Sequence, residues 1–97
     1  MIRDLAELAR VTGGGLHADD VAFGPVISDS RALEPGALFV ALRGDRFDAH
    51  QFVPEALERG AAGALVARPI PVPLPQVVVS DTLAALTAFA GAWRRDF

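Results

Sequence analysis

Polar and apolar positions fall into short segments whose period changes along the chain. From Asp4 to about Arg10, Leu5, Leu8 and Ala9 recur at the spacing of one helical face, and Gly13-Gly14-Gly15 then stops the helix. A short extended piece is predicted near Leu16 to Ala18, and a strand at Val26 to Ser28 after Pro25. Pro35-Gly36 is a turn. "ALFVAL", Ala37 to Leu42, is an unbroken apolar run of strand length, the pattern of a strand buried on both faces. Helical spacing returns from Gln51 to Arg59, with Phe52, Ala56 and Leu57 apolar, Pro54 tolerated in the first turn and Gly60 at the C-terminal stop.

"GALVA", Gly63 to Ala67, predicts another buried strand, and "QVVVS", Gln76 to Ser80, the last one. Between them "RPIPVPLP", Arg68 to Pro75, cannot pair as a central strand, because proline has no amide to donate. It reads as a stiff extended connection. Ser80 or Asp81 can cap a closing helix in which Leu83, Leu86, Ala90 and Trp93 recur at helical spacing. A crossover helix makes the strands it joins parallel, so this order of elements predicts a small single α/β domain with a mixed β-sheet flanked by helices. Residues 1–80 form the unit and 81–97 the closing helix. The apolar face ending in Trp93 and Phe97 is a surface that further protein is expected to cover.

Composition narrows the function classes. The 97 residues are 52% hydrophobic and 22% charged, a globular balance, and there is no cysteine, hence no disulfide, thiol nucleophile or cysteine-based zinc site. The N-terminal "MIRDLAELARV" carries acidic residues inside its only apolar stretch, unlike a signal peptide, and no run is long enough to span a membrane; a cytoplasmic location is the expectation. A net charge of −3 argues against a broad surface for nucleic acid while leaving single anionic ligands open. All nine basic residues are arginine. Without lysine the chain has neither a P-loop phosphate contact nor an amine for Schiff-base chemistry.

Two segments can do chemistry. Asp29-Ser30-Arg31 leaves the strand Val26 to Ser28 at its C-terminal end, where open α/β sheets bind ligands. Arg31 offers a planar donor fork for phosphate, Ser30 a hydroxyl, and Asp29 an acceptor for the arginine, a sugar or a base. The same triplet also reads as an Asx-type turn beside a surface arginine. "RGDRFDAH", Arg43 to His50, follows the buried run directly. If the two strands are parallel neighbours, both loops reach one edge of the sheet. Ser30 and Arg31 then face Arg46, Phe47 and His50, with Phe47 able to stack on a base and Arg43 and Arg46 able to hold phosphate. Equally, Phe47 can be core and the Asp and Arg residues mutually solvated pairs. The Arg43-Gly44-Asp45 triplet is short enough to arise by chance. A triad of Ser28 or Ser30 with His50 and Asp29 or Asp48 lacks a nucleophile elbow, and His17 and His50 have no ligand-spaced partner for a metal.

"DSRALEPGALFVALRGDRFDAHQFVPEALERGAAGALV", Asp29 to Val66, resembles the N-terminal domain of the Mur ligases, which extend the peptide of the peptidoglycan precursor. Asp-Ser-Arg, the Pro-Gly turn, Leu-Phe-x-Ala-Leu, the Gly, the Phe-Asp-x-His loop and the helix with its alanine-rich Gly turn occur in that order and spacing. With the closing "DTLAALTAFAGAWRRDF" the resemblance covers almost the whole chain. The Phe-Asp-x-His loop and the Trp93-Arg94 helix end are more similar to the branch that adds D-alanyl-D-alanine to a muramoyl-tripeptide than to the branch that adds the third amino acid. Ala49, Gln51 and Ala37 depart from the usual glycine, acid and polar residue at their positions.

The resemblance implies a domain that holds the UDP end of a UDP-N-acetylmuramoyl-peptide. Ser28, Ser30 and Arg31 would contact the uridine diphosphate, and Asp45, Arg46, Phe47, Asp48 and His50 would line the uracil and ribose. It also implies that ATP and magnesium belong to a central domain and the incoming dipeptide to a C-terminal one, so that this chain has no catalytic residue, no resident metal or cofactor, and no ligase activity alone. A competing reading is a non-catalytic interaction module that docks a partner through the closing helix and is indifferent to UDP.

Overall fold

The computed structural model describes residues 4–17, 20–44 and 48–95, with backbone alone for 92–95. Helix α1 (Leu5–Thr12) starts at Asp4, whose carboxylate accepts the Glu7 amide at 2.9 Å. The Asp20 carboxylate accepts the Ala6 amide at the same distance, so the exposed amides of the first turn are met by anions that also favour the helix dipole. The helix ends at Gly13, whose φ of 73° is the left-handed conformation that a side chain would strain. Gly14 is required for another reason. A Cβ there would lie 2.8 Å from the Val78 carbonyl oxygen, so only glycine lets the chain turn this close to the sheet.

Five strands, β1 (Gly15–Leu16), β2 (Val26–Ile27), β3 (Leu38–Val40), β4 (Gly63–Val66) and β5 (Gln76–Val78), form one sheet in the order β1-β5-β4-β3-β2. β1 runs antiparallel to β5 and the other pairings are parallel, the mixed sheet expected from the order of elements. Leu38 stands opposite Val26 on one side and Gly63 on the other. β3 and β4 are wholly buried because helices cover both faces. Leu38, Val40, Leu65 and Val77 pack with Leu5 and Leu8 of α1 and with Ala85 and Phe89 of helix α3 (Thr82–Arg95). On the opposite face Phe39, Ala64 and Val66 meet Val53 and Ala56 of helix α2 (Val53–Glu58) and Leu74 of the proline-rich segment.

The closing helix and the proline-rich segment differ from the sequence expectation. Asp81 caps α3, its carboxylate accepting the Leu83 amide at 2.9 Å and the Ala84 amide at 3.2 Å, but the buried face runs through Thr82, Ala85 and Phe89, while Leu83 is 61% exposed. A helix so rich in Ala and Leu is apolar nearly all round, and its bulkiest described side chain fixes the rotation: the Phe89 ring lies 6.4 Å from that of Phe23. The Trp93 side chain and Phe97 lie outside the described residues.

The proline-rich stretch is not extended. The Val72 amide donates to the Ile70 carbonyl and the Leu74 amide to the Val72 carbonyl, both at 2.8 Å, which folds the chain into successive tight bends. Buried Gln76 closes the segment, accepting from the Ile70 amide at 2.8 Å and donating to the Ile70 and Leu74 carbonyls at 2.8 and 3.1 Å. Every amide left between the prolines is thereby paired.

Candidate functional site at the C-terminal edge of the sheet

Since β2 and β3 are adjacent and parallel, the loops that follow them emerge at the same edge. After β2 the chain passes through Ser28 and enters a 3₁₀ turn, Ser30–Ala32, capped by Asp29. One Asp29 carboxylate oxygen accepts the Arg31 amide at 2.9 Å and Arg31 Nε at 3.2 Å; the other accepts Nη2 at 3.1 Å. The triplet is therefore both an Asx-type turn and an arginine held flat by its own cap. The Arg31 side-chain bond, then its backbone bond, holds the Asp29 carboxyl below its ordinary range, and Asp29 raises Arg31 in turn. The Arg31 side chain is 85% exposed, so the donors not spent on Asp29 face solvent.

This turn forms one wall of a cleft of about 610 Å³, within the roughly 300–1,000 Å³ typical of small-molecule sites. Ser28, Asp29, Ser30, Arg31 and Glu55 supply its polar lining, and Leu42, just beyond β3, and Phe52 the apolar part. The Glu55 carboxylate accepts from Arg59 Nε at 3.2 Å. A cleft lined by an arginine, two serines and two apolar side chains suits a polar ring carrying an anionic group.

Ser28, Ser30 and Arg31 are brought together as expected. Leu42, Phe52 and Glu55 escaped the sequence reading, which assigned Leu42 to the buried strand and Phe52 to a helix face. The strand ends at Val40, and a 3₁₀ turn at Ala49–Phe52 delays the α-helical period until Val53. Asp45, Arg46 and Phe47 lie outside the described residues. Arg43 and Asp48 form an isolated antiparallel bridge.

Asp48 and His50 are not among the residues lining the cleft. His50 is 1% exposed, and its Nε2 accepts the Ala67 amide at 2.8 Å. That bond fixes the neutral ring with its proton on Nδ1, which donates to Asp48 at 2.6 Å. Both nitrogens are engaged, leaving none to serve Ser28 or Ser30 as a base. Among the described residues no group of three His, Asp or Glu side chains gathers as metal ligands would.

Asp48 also accepts the His50 amide at 3.0 Å and Arg68 Nη2 at 3.1 Å. The His50 amide and ring, then Arg68, lower its carboxyl from the ordinary 3.8 to about 2. A carboxyl whose folded value is depressed stabilises the fold above its unfolded value and loses that contribution as pH falls through the folded one. The difference in thermal midpoint between the parent chain and Asp48→Asn is therefore expected to be constant above about pH 5 and to shrink between about pH 4 and 2. A difference unchanged across that window would mean that Asp48 is not held ionised by these partners.

A family model described as "Mur ligase family, catalytic domain" matches residues 26–93. The UDP-N-acetylmuramoyl-tripeptide–D-alanyl-D-alanine ligase of Escherichia coli K12 is 45% identical over 92 residues, which are 95% of this chain and 20% of that protein. The UDP-N-acetylmuramyl-tripeptide synthetase of Roseiflexus is 46% identical over a shorter stretch of 71 residues, 70% of this chain and 14% of that protein. Among solved structures, the UDP-N-acetylmuramoylalanyl-D-glutamyl-2,6-diaminopimelate–D-alanyl-D-alanyl ligase of Acinetobacter baumannii superposes with a TM-score of 0.83 at 38% identity, over 94% of this chain and 21% of that one. The chain thus spans about a fifth of the length of the D-alanyl-D-alanine ligases it matches. On this sequence match, and on a fold shared over nearly all of its length, the chain belongs to the Mur ligase family and corresponds to the N-terminal domain of its D-alanyl-D-alanine ligases.

Proposed function

We propose that this domain binds the UDP end of UDP-N-acetylmuramoyl-tripeptide within a ligase that adds D-alanyl-D-alanine to it during peptidoglycan precursor synthesis. The observation that carries the proposal is the cleft lined together by the exposed Arg31, by Ser28 and Ser30, and by Leu42 and Phe52. Arg31 holds a phosphate oxygen, the serines bond the nucleotide, and the apolar wall lies along its ring. Asp45, Arg46 and Phe47 belong to the loop that completes the uracil and ribose side. In the complete protein the phosphate loop, ATP and magnesium reside in a central domain. In keeping with this, the present chain has no lysine with which to build a P-loop. The contribution of this domain is to fix the substrate by its nucleotide, which lowers the entropic cost of bringing the far end of the peptide to the reacting groups. No helix among the described residues is long and apolar enough to cross a membrane.

Titration of the ¹⁵N-labelled chain with UDP is expected to shift the amides of Ser28 to Arg31, Leu42 and Phe52, whereas ATP leaves them in place. Arg31→Ala removes a charge-assisted bond and is expected to weaken UDP binding roughly ten- to a hundred-fold. A folded chain whose amides ignore millimolar UDP would remove the nucleotide reading and favour a docking module. Unchanged affinity in Arg31→Ala would remove the phosphate contact alone.

A further inference from the structure

His50 joins parts of the chain far apart in sequence, and both of its ring nitrogens are taken up in doing so. Its ring ties the Ala49–Phe52 turn to Ala67, just past the end of β4, and through Asp48 to Arg68. That turn carries Phe52, and the amide of its first residue, Ala49, donates to the Leu42 carbonyl at 2.9 Å. Phe52 therefore hangs from the segment that His50 holds, and Leu42, two residues past β3, is tied to it through the Ala49 amide, whereas Ser28 to Arg31 follow β2, on the other side of β3 from β4.

We propose that His50 is a positioning residue for the cleft: by bracing the Ala49–Phe52 turn against the end of β4, it sets Leu42 and Phe52 at the separation from Arg31 that a ligand requires. The proposal rests on the nucleotide reading only for the choice of UDP as probe. A binding wall held in place before the ligand arrives avoids the loss of affinity suffered when the competent arrangement is a minor one.

The side-chain chemistry allows a selective test. Asn at this position keeps an N–H near Nδ1 for Asp48 but is too short to accept the Ala67 amide, whereas Gln places a carbonyl oxygen near Nε2 and can accept it. The 97-residue chain, His50→Asn, His50→Gln and a control on the opposite face of the sheet, Val77→Ala, are compared well below every unfolding midpoint. Two quantities are read: amide hydrogen exchange at Ala49 and Phe52, and the UDP dissociation constant. His50→Asn is expected to speed exchange at those amides selectively. It should also raise the UDP constant about tenfold, as when the competent arrangement falls to roughly a tenth of the population. His50→Gln should restore both, and Val77→Ala should lower the thermal midpoint without moving the UDP constant. Exchange rising evenly through β3, β4 and β5 in His50→Asn, or a UDP constant equal to that of the parent chain, overturns the proposal and leaves His50 a core residue. If the parent chain binds no UDP, the nucleotide reading fails, and exchange alone decides for the brace when the change is local or against it when it is uniform.

Discussion

Phe39→Ala is expected to lower the unfolding free energy by about 3–5 kcal/mol, the usual cost of deleting a fully buried aromatic ring. Phe39 is fully buried at the centre of β3, and its neighbours in that core include Ala37, Ala41, Ala56 and Ala64. Those alanines have no side chain to swing into the space, so little of the cavity can be filled without movement of Val53, Val66 or Leu74. Natural domains are stable by about 5–15 kcal/mol, and one of this size sits toward the lower end, so the variant should be substantially unfolded at moderate urea. Urea titration followed by far-ultraviolet circular dichroism gives the answer, with Phe39→Leu as the milder companion in case the alanine variant does not fold. A loss below about 1 kcal/mol would mean that α2 does not pack on the sheet as described.

His50→Ala is expected to cost about 3 kcal/mol, nearly as much, though no large apolar group is lost. Removing the ring leaves the Ala67 amide without its acceptor, a penalty of about 1–3 kcal/mol, and adds the cavity of the missing imidazole. In that variant Asp48 keeps Arg68 and the amide of residue 50 as partners, so the loss falls on the Ala67 amide and the cavity. His50→Gln, whose carbonyl oxygen can reach the Ala67 amide, should recover part of the urea midpoint; no recovery would show that the bond to Ala67 is not the principal one.

The contrast between these residues explains what could be read from the chain. Phe39 lies in an apolar run with turns on either side, and a run of that length has few destinations other than a strand covered on both faces. The parallel pairing of β2 with β3 could be stated only as a condition, because no crossover helix is legible between Val26 to Ser28 and Ala37 to Leu42. His50 was read as a residue lining the uracil and ribose or as the start of a helix, and its bond to Ala67 was not legible, because that bond depends on an amide 17 positions away whose approach is set by the register of β3 against β4. The tight bends of the proline segment were hidden for a similar reason, since they depend on one glutamine side chain folding back over residues before it. Leu83 illustrates a third case, in which a helix apolar on several sides leaves its buried side to be chosen by packing.

The two margins of the sheet have a consequence for how the molecule behaves in a crowded solution. The outermost strands, β1 and β2, are each two residues long, and Pro25, which has no amide to offer, precedes β2 directly. An incoming strand from another chain would find only a stub on which to propagate hydrogen bonds, while the long apolar runs lie three abreast in the middle. A sequence that is more than half hydrophobic is thus guarded against edge-to-edge pairing by the brevity of its bordering strands.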